Sequence, residues 1–169
     1  MYNDPAKKTS KKKLALRHQL KVYLDTSVLL SLLLSYDKHH DTTVKIFSAA
    51  RKIDCQLILS DLTLLEVSSL YSRLRDPEQK RFTKELTRLL GRRELVHAQT
   101  TLEPSSVLTT PVVGERDISF EDRLHVVAAR QLGCQMMLTL DLHFLRIDSK
   151  WLQFKVLTPT EFIVLGKRG

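Results

Sequence analysis

Short apolar runs along this chain alternate with longer stretches in which apolar residues recur every three or four positions, a pattern that predicts strands and helices in turn. Val22-Tyr23-Leu24 is the first run. The polar Asp25-Thr26-Ser27 behind it suits a helix N-terminus, and Val28 to Ser35 reads as an apolar, buried helix. After a polar loop at Asp37 to His40, Asp41 to Lys52 predicts an amphipathic helix with Val44, Phe47 and Ala50 inward. Gln56 to Ser60 is a second strand. It leads into a helix opening at Asp61-Leu62-Thr63-Leu64-Leu65-Glu66, with Ser60 or Asp61 as cap.

Pro77 to Arg92 predicts a further amphipathic helix, with Phe82, Leu86, Leu89 and Leu90 on one face and Gly91 helping to end it. Its Lys80, Arg81, Lys84, Arg88 and Arg92 read as a solvated face or as contacts to phosphate. Leu95 to Gln99 is a third strand, whereas Thr100 to Arg116, with Pro104, Pro111 and Gly114, carries no clear pattern. A helix opens at Ser119 and runs to about Leu132, with Leu124, Val127, Ala128 and Leu132 as its core face and Gly133 as its stop. Met136 to Leu140 is a buried strand ending in Asp141. Lys155 to Leu157 is the last strand, and Thr158-Pro159-Thr160-Glu161 opens a terminal helix. Strands alternating with helices imply parallel βαβ units, hence an α/β three-layer sandwich with a central parallel sheet flanked by helices.

Four acids recur at comparable places in this pattern. Asp25 ends a strand, where it is either a helix cap or a group at a ligand site. Glu66 falls in the stripe Leu62, Glu66, Leu70. A carboxylate there requires an Arg, hydrogen bonds or a metal ion, unless it closes a capping box with Thr63. Asp122 matches a capping box with Ser119, and His125 lies one turn beyond it, as a substrate contact or packed beside Asp122. Asp141 is a second strand-terminal acid. In a parallel sheet these positions share one rim, so the four can converge. Such a cluster repels itself unless neutralised, and oxygen-ligated Mg2+ or Mn2+ is its natural occupant.

The length of 169 residues fits one domain. Through Lys21 the chain carries seven basic residues against Asp4 alone, so six of its eight net positive charges sit there. The expected division is a basic N-terminal tail at 1–20 and a compact domain at 21–169. Lys7, Lys8, Lys11, Lys12 and Lys13 suit a polyanionic partner, nucleic acid or an anionic membrane surface, or form a solvated arm. Cys55 and Cys134 stand far apart without a CxxC, which speaks against a zinc ribbon or disulfide framework and for a reducing, cytoplasmic setting. No apolar run nears 18 residues, so no membrane span is expected. Five scattered glycines form neither a Walker loop nor a dinucleotide fingerprint. Ser27 replaces the second Asp that a haloacid-dehalogenase phosphatase needs, and Thr158-Pro159 replaces the Lys-Pro of a phospho-receiver.

The segments YLDTSVLL, SDLTLLEV, ISFEDRLHVVAAR and LTLDLHF, carrying Asp25, Glu66, Asp122 and Asp141 with Phe144, occur in that order. In them the chain resembles the PIN-domain ribonucleases over residues 21 to about 165, and within that family the VapC-type toxins of toxin-antitoxin pairs. The resemblance implies that these acids bind Mg2+ or Mn2+ and hydrolyse RNA phosphodiester bonds; Thr26 and Thr139 are supporting hydroxyls there or hold ordinary cap and strand positions. It also implies a homodimer held inactive by a small antitoxin. A catalytically silent PIN-like module binding RNA or a protein is the alternative. Ser27, where the family usually has Asn, and Arg123, where a small residue commonly follows the third acid, depart from the pattern.

Overall fold

The structure is a computed structural model and describes residues 19–101, 105, 107, 119–147 and 152–168. In chain order its elements are β1 (Leu20–Leu24), α1 (Thr26–Leu33), α2 (His40–Thr43), α3 (Ile46–Lys52), β2 (Cys55–Ser60), α4 (Asp61–Tyr71) and α5 (Asp76–Leu90). Then follow β3 (Leu95–Ala98), α6 (Phe120–Gln131), β4 (Met136–Leu138), α7 (Leu142–Leu145), β5 (Lys155–Leu157) and α8 (Pro159–Arg168). The lysines at 7, 8, 11, 12 and 13 and nearly all of the unpatterned 100–116 segment lie outside the described residues.

The five strands form one parallel sheet in the order β3-β2-β1-β4-β5. From β1 the chain builds outward through β2 and β3, then returns to lay β4 and β5 on the other side. The reversal falls between β1 and β4, and the crevice beyond the carboxyl ends of such a pair is where open α/β sheets bind ligands.

Strand side chains alternate between the two faces of this sheet. Val22, Leu24, Leu57, Leu59 and Leu138 join one core with α1, α3 and Phe82, Leu89 and Phe162. Tyr23, Ile58 and Met137 join the other, with Val126, Ala128 and Ala129 of α6 and Phe144 of α7. Helices therefore cover both faces, which makes the three-layer sandwich. Tyr23 sits in register between Ile58 and Met137, in a row continued by Val96 and Val156. Its hydroxyl is the one polar group in that row.

Several sequence expectations are corrected. The helix expected over Asp41–Lys52 is interrupted at Val44 and Lys45, where the Thr43 hydroxyl bonds back to the carbonyls of His39 and His40. Leu90 is exposed instead of joining Phe82 and Leu89. Arg92, expected on the basic face, lays its guanidinium over the Phe47 ring, 4.2 Å from the centroid. In α6 the fully packed face is His125 to Ala129, while Leu124 and Leu132 are half-buried, because the helix is pressed against Tyr23 and β4. β4 ends at Leu138, so Asp141 does not terminate a strand: it caps α7, its Oδ1 accepting from His143 N at 2.8 Å.

α8 packs closely on α3 at Gly166, where an added Cβ would stand 2.8 Å from Ala49 Cβ and 2.9 Å from Ala49 Cα. Helix propensity alone favours alanine there by about 1 kcal/mol. The approach of a helix backbone cannot be relieved by turning a side chain, and overpacking of this kind costs about 1–3 kcal/mol. Gly166→Ala is therefore expected to lower stability in urea unfolding.

Candidate active site

Asp25 follows β1 at the reversal point, where its backbone N–H donates to Leu138 O of β4 at 3.0 Å. It occupies the cap position of α1, yet its side chain makes no cap hydrogen bond. Oδ2 instead accepts from Ser27 Oγ at 2.6 Å and from Thr139 Oγ1 at 2.8 Å. The same hydroxyls accept from the backbone beyond β4, Ser27 Oγ from Leu140 N at 3.0 Å and Thr139 Oγ1 from Asp141 N at 2.9 Å. Asp25 is 5% exposed. Its Oδ1 faces His125 Nε2 at 3.8 Å, beyond hydrogen-bonding range.

Glu66 reaches this place from α4. The capping box expected with Thr63 is not formed. The cap is Ser60, and Thr63 Oγ1 turns to Leu24 O at 3.2 Å. Glu66 accepts instead from Thr26 and from His125 Nε2, at 3.1 Å to Oε1 and 3.0 Å to Oε2. Burial pushes its carboxyl up, but the bond and charge of His125 and the Thr26 hydroxyl outweigh this and hold it below the ordinary value. For His125 burial pushes down, and the bond to Glu66 with the charges of Asp25, Glu66 and Asp122 raises it on balance.

The ring sits in a chain of hydroxyls. Thr63 Oγ1 gives its hydrogen to Leu24 O, and Ser60 Oγ stands 3.0 Å from Thr63 Oγ1 and 2.7 Å from Tyr23 OH. Tyr23 OH in turn stands 2.8 Å from His125 Nδ1 and 3.3 Å from Thr63 Oγ1, so the network joins the far side of the imidazole to the cap of α4.

Asp122 lies in the first turn of α6, its N–H donating to Ser119 Oγ at 3.0 Å. Ser119 is thus the cap of α6. Burial raises this carboxyl above its ordinary value, and the charges of Asp141 and Asp25 add to the rise despite the Ser119 hydrogen bonds. Asp25, Asp122 and Asp141 are thus within electrostatic reach of one another, and Glu66 joins them through His125. Among the described residues no three acidic or histidine side chains are gathered tightly enough to cage an ion as they stand.

A sequence profile of the PIN domain matches residues 22–150. The chain belongs to the PIN-domain family. A comparison with curated proteins returned no match. Among solved structures it is similar to VapBC2 from Rickettsia felis, bound to a DNA fragment from their promoter, with 14% identity, TM-score 0.57, 82% of this chain and 98% of that one covered. It is also similar to the sarcin-ricin-loop-cleaving toxin VapC20 of Mycobacterium tuberculosis, with 18% identity, TM-score 0.55 and coverage of 73% and 92%. FitAcB from Neisseria gonorrhoeae aligns with 16% identity, TM-score 0.57 and coverage of 82% and 98%.

The donor chemistry of this PIN domain suits a hard divalent ion. All four acids offer oxygen, Asp25 Oδ1 has no hydrogen bond among the described residues, and the raised pKa of Asp122 reflects like charges that a cation would relieve. Sequence reasoning missed Tyr23, Ser27, Ser60 and Thr63 as parts of the site. Tyr23 carried a legible signal, since a tyrosine in a buried strand needs a partner for its hydroxyl.

A raised carboxyl pKa means that Asp122 loses stability for the fold as pH climbs from its unfolded value of 3.8 through its folded one. In EDTA at neutral pH, Asp122→Asn should therefore melt above wild type, by roughly 1–3 °C given its partial exposure. The gap should close below pH 3.8 and reverse when Mg2+ binds wild type. Melting curves across pH, with and without metal, check all three.

Proposed function

We propose that this PIN domain is a metal-dependent endoribonuclease that hydrolyses RNA phosphodiester bonds, acting as the toxin of a toxin-antitoxin pair in the cytoplasm. The observation that carries the reading is Asp25: a carboxylate buried at the reversal of a parallel sheet, oriented by two hydroxyls on Oδ2, with Oδ1 left for another partner. PIN nucleases generally use divalent metal ions, and here Asp25, Glu66, Asp122 and Asp141 would hold Mg2+ or Mn2+. Such an ion supplies Lewis-acid polarisation of the phosphate and a water of lowered pKa.

The protein's own groups do the rest. Ser27 and Thr139 fix the Asp25 carboxylate, and Thr26 with His125 fixes that of Glu66. One of the four carboxylates accepts the proton of the attacking water. As the water oxygen bonds to phosphorus, the opposite P–O bond breaks, and the leaving oxygen takes a proton from solvent.

RNA as substrate draws support from VapC20, named for cleaving the sarcin-ricin loop, and an antitoxin partner from the VapBC2 complex. A homodimer belongs to the same reading. The silent-module alternative draws on one observation, that His125 already donates to both Glu66 oxygens. Single-stranded RNA incubated with Mn2+ separates the two. Wild type should cleave it, EDTA should stop cleavage, and Asp25→Asn should lower the rate by at least about 100-fold at unchanged folding by circular dichroism. Undiminished cleavage by that variant defeats the assignment.

The lysine-rich first 20 residues are proposed to hold RNA phosphates. Deleting residues 1–20 should weaken RNA binding most at low salt and flatten the slope of log affinity against log salt, because fewer counterions are released. Equal slopes in a filter-binding titration would make the tail a solvated arm.

A further inference from the structure

An ionisable ring, 3% exposed, stands between two of the acids. We propose that His125 is a positioning residue: clamped by the Tyr23 hydroxyl, it holds the Glu66 carboxylate toward Asp25 and so sets the affinity of the site for a divalent ion. The proposal rests on reading these acids as the ion's ligands.

The clamp is visible at both ends of the ring. Nε2 meets both Glu66 oxygens, at 3.1 and 3.0 Å, and stands 3.8 Å from Asp25 Oδ1. Nδ1 meets Tyr23 OH at 2.8 Å, and the two rings meet edge to face, 5.8 Å apart at 70°. Tyr23 is fully buried in the central strand, and its hydroxyl is tied at 2.7 Å to Ser60, the cap of the helix that carries Glu66. The ring therefore cannot move unless the sheet does.

Glu66 needs such a hold. Its side chain is 30% exposed and long, and a free glutamate loses considerable rotamer entropy when it is fixed. No residue of its own helix bonds to it. The bonds come from Thr26 on α1 and His125 on α6. Each carboxylate oxygen accepts more than one partner, so the imidazole can steady Glu66 and leave lone pairs for an ion. Partners of this kind change metal affinity by about 10–100-fold when removed. A histidine that merely filled the core would affect stability alone.

Mn2+ titrated into the full chain by calorimetry tests the distinction, and two amides divide the ring's roles. The nitrogen of Asn superposes on Nδ1 and that of Gln on Nε2. His125→Asn should thus keep a partner for Tyr23, lose the donor to Glu66, and weaken Mn2+ binding by about 10–100-fold. His125→Gln should recover most of the loss, and Tyr23→Phe, which frees the ring, should weaken binding to an intermediate degree.

Wild-type affinity in a folded His125→Asn protein overturns the proposal. So does wild-type affinity in Tyr23→Phe, an arm that stands even if the Asn variant does not fold. Imidazole nitrogen coupling in pulsed EPR of the Mn2+-loaded wild type would make His125 a ligand and also overturn it. If wild type binds no Mn2+, the metal reading of the acids fails. The hold itself is then judged without metal, by whether Glu66→Ala and His125→Asn, each of which removes the contact, are non-additive in urea unfolding; additivity overturns it.

Discussion

Burying a carboxylate costs several kcal/mol unless its charge is met, and Asp25 lies almost out of water at the carboxyl edge of the sheet, just beyond its central strand. The surrounding structure can be understood as the answer to that cost. Two hydroxyls, Ser27 and Thr139, donate to one of its oxygens, and each is fixed in turn by a backbone N–H beyond β4. The ring of His125, whose pKa these carboxylates raise, faces the other oxygen from 3.8 Å. Because β4 and its following loop supply these groups, Asp25 also ties β1 to the far half of the sheet, where the topology reverses.

The alternation of strand side chains carries the site into the core. Val22 and Leu24 face one helical layer and Tyr23 the other, so a single strand anchors both hydrophobic clusters and ends in the buried acid. The Tyr23 hydroxyl, fully buried, is satisfied by joining His125 to Ser60 and Thr63. That chain of hydroxyls ends on Leu24 O, one residue from Asp25. A core packing choice and the geometry of the acids are thereby the same interaction, and loosening one loosens the other.

The alternation of apolar runs made the fold legible, since Val22-Tyr23-Leu24, Gln56 to Ser60 and Lys155 to Leu157 each lie in a parallel strand of the sheet. Periodicity was less informative where side chains bond back to the chain, as Thr43 does, or where a capping acid follows a strand, as Asp141 does. The acids were visible as recurrent carboxylates in helix starts and strand ends. Of their partners Thr26 and Thr139 were named, but Ser27 was not, because it looks like an ordinary helix-start residue. His125 sits on a helix face whose burial depends on a neighbour, Tyr23, that is distant in sequence. Local pattern shows which residues carry charge; long-range packing decides what each charge meets.

The most direct test of this account is where a divalent ion goes. Crystals grown with Mn2+ and measured for anomalous scattering should show a peak bounded by the carboxylates of Asp25, Glu66, Asp122 and Asp141, at the reversal between β1 and β4. A peak confined to other carboxylates, or none at saturating Mn2+ in crystals that retain the fold, would contradict it.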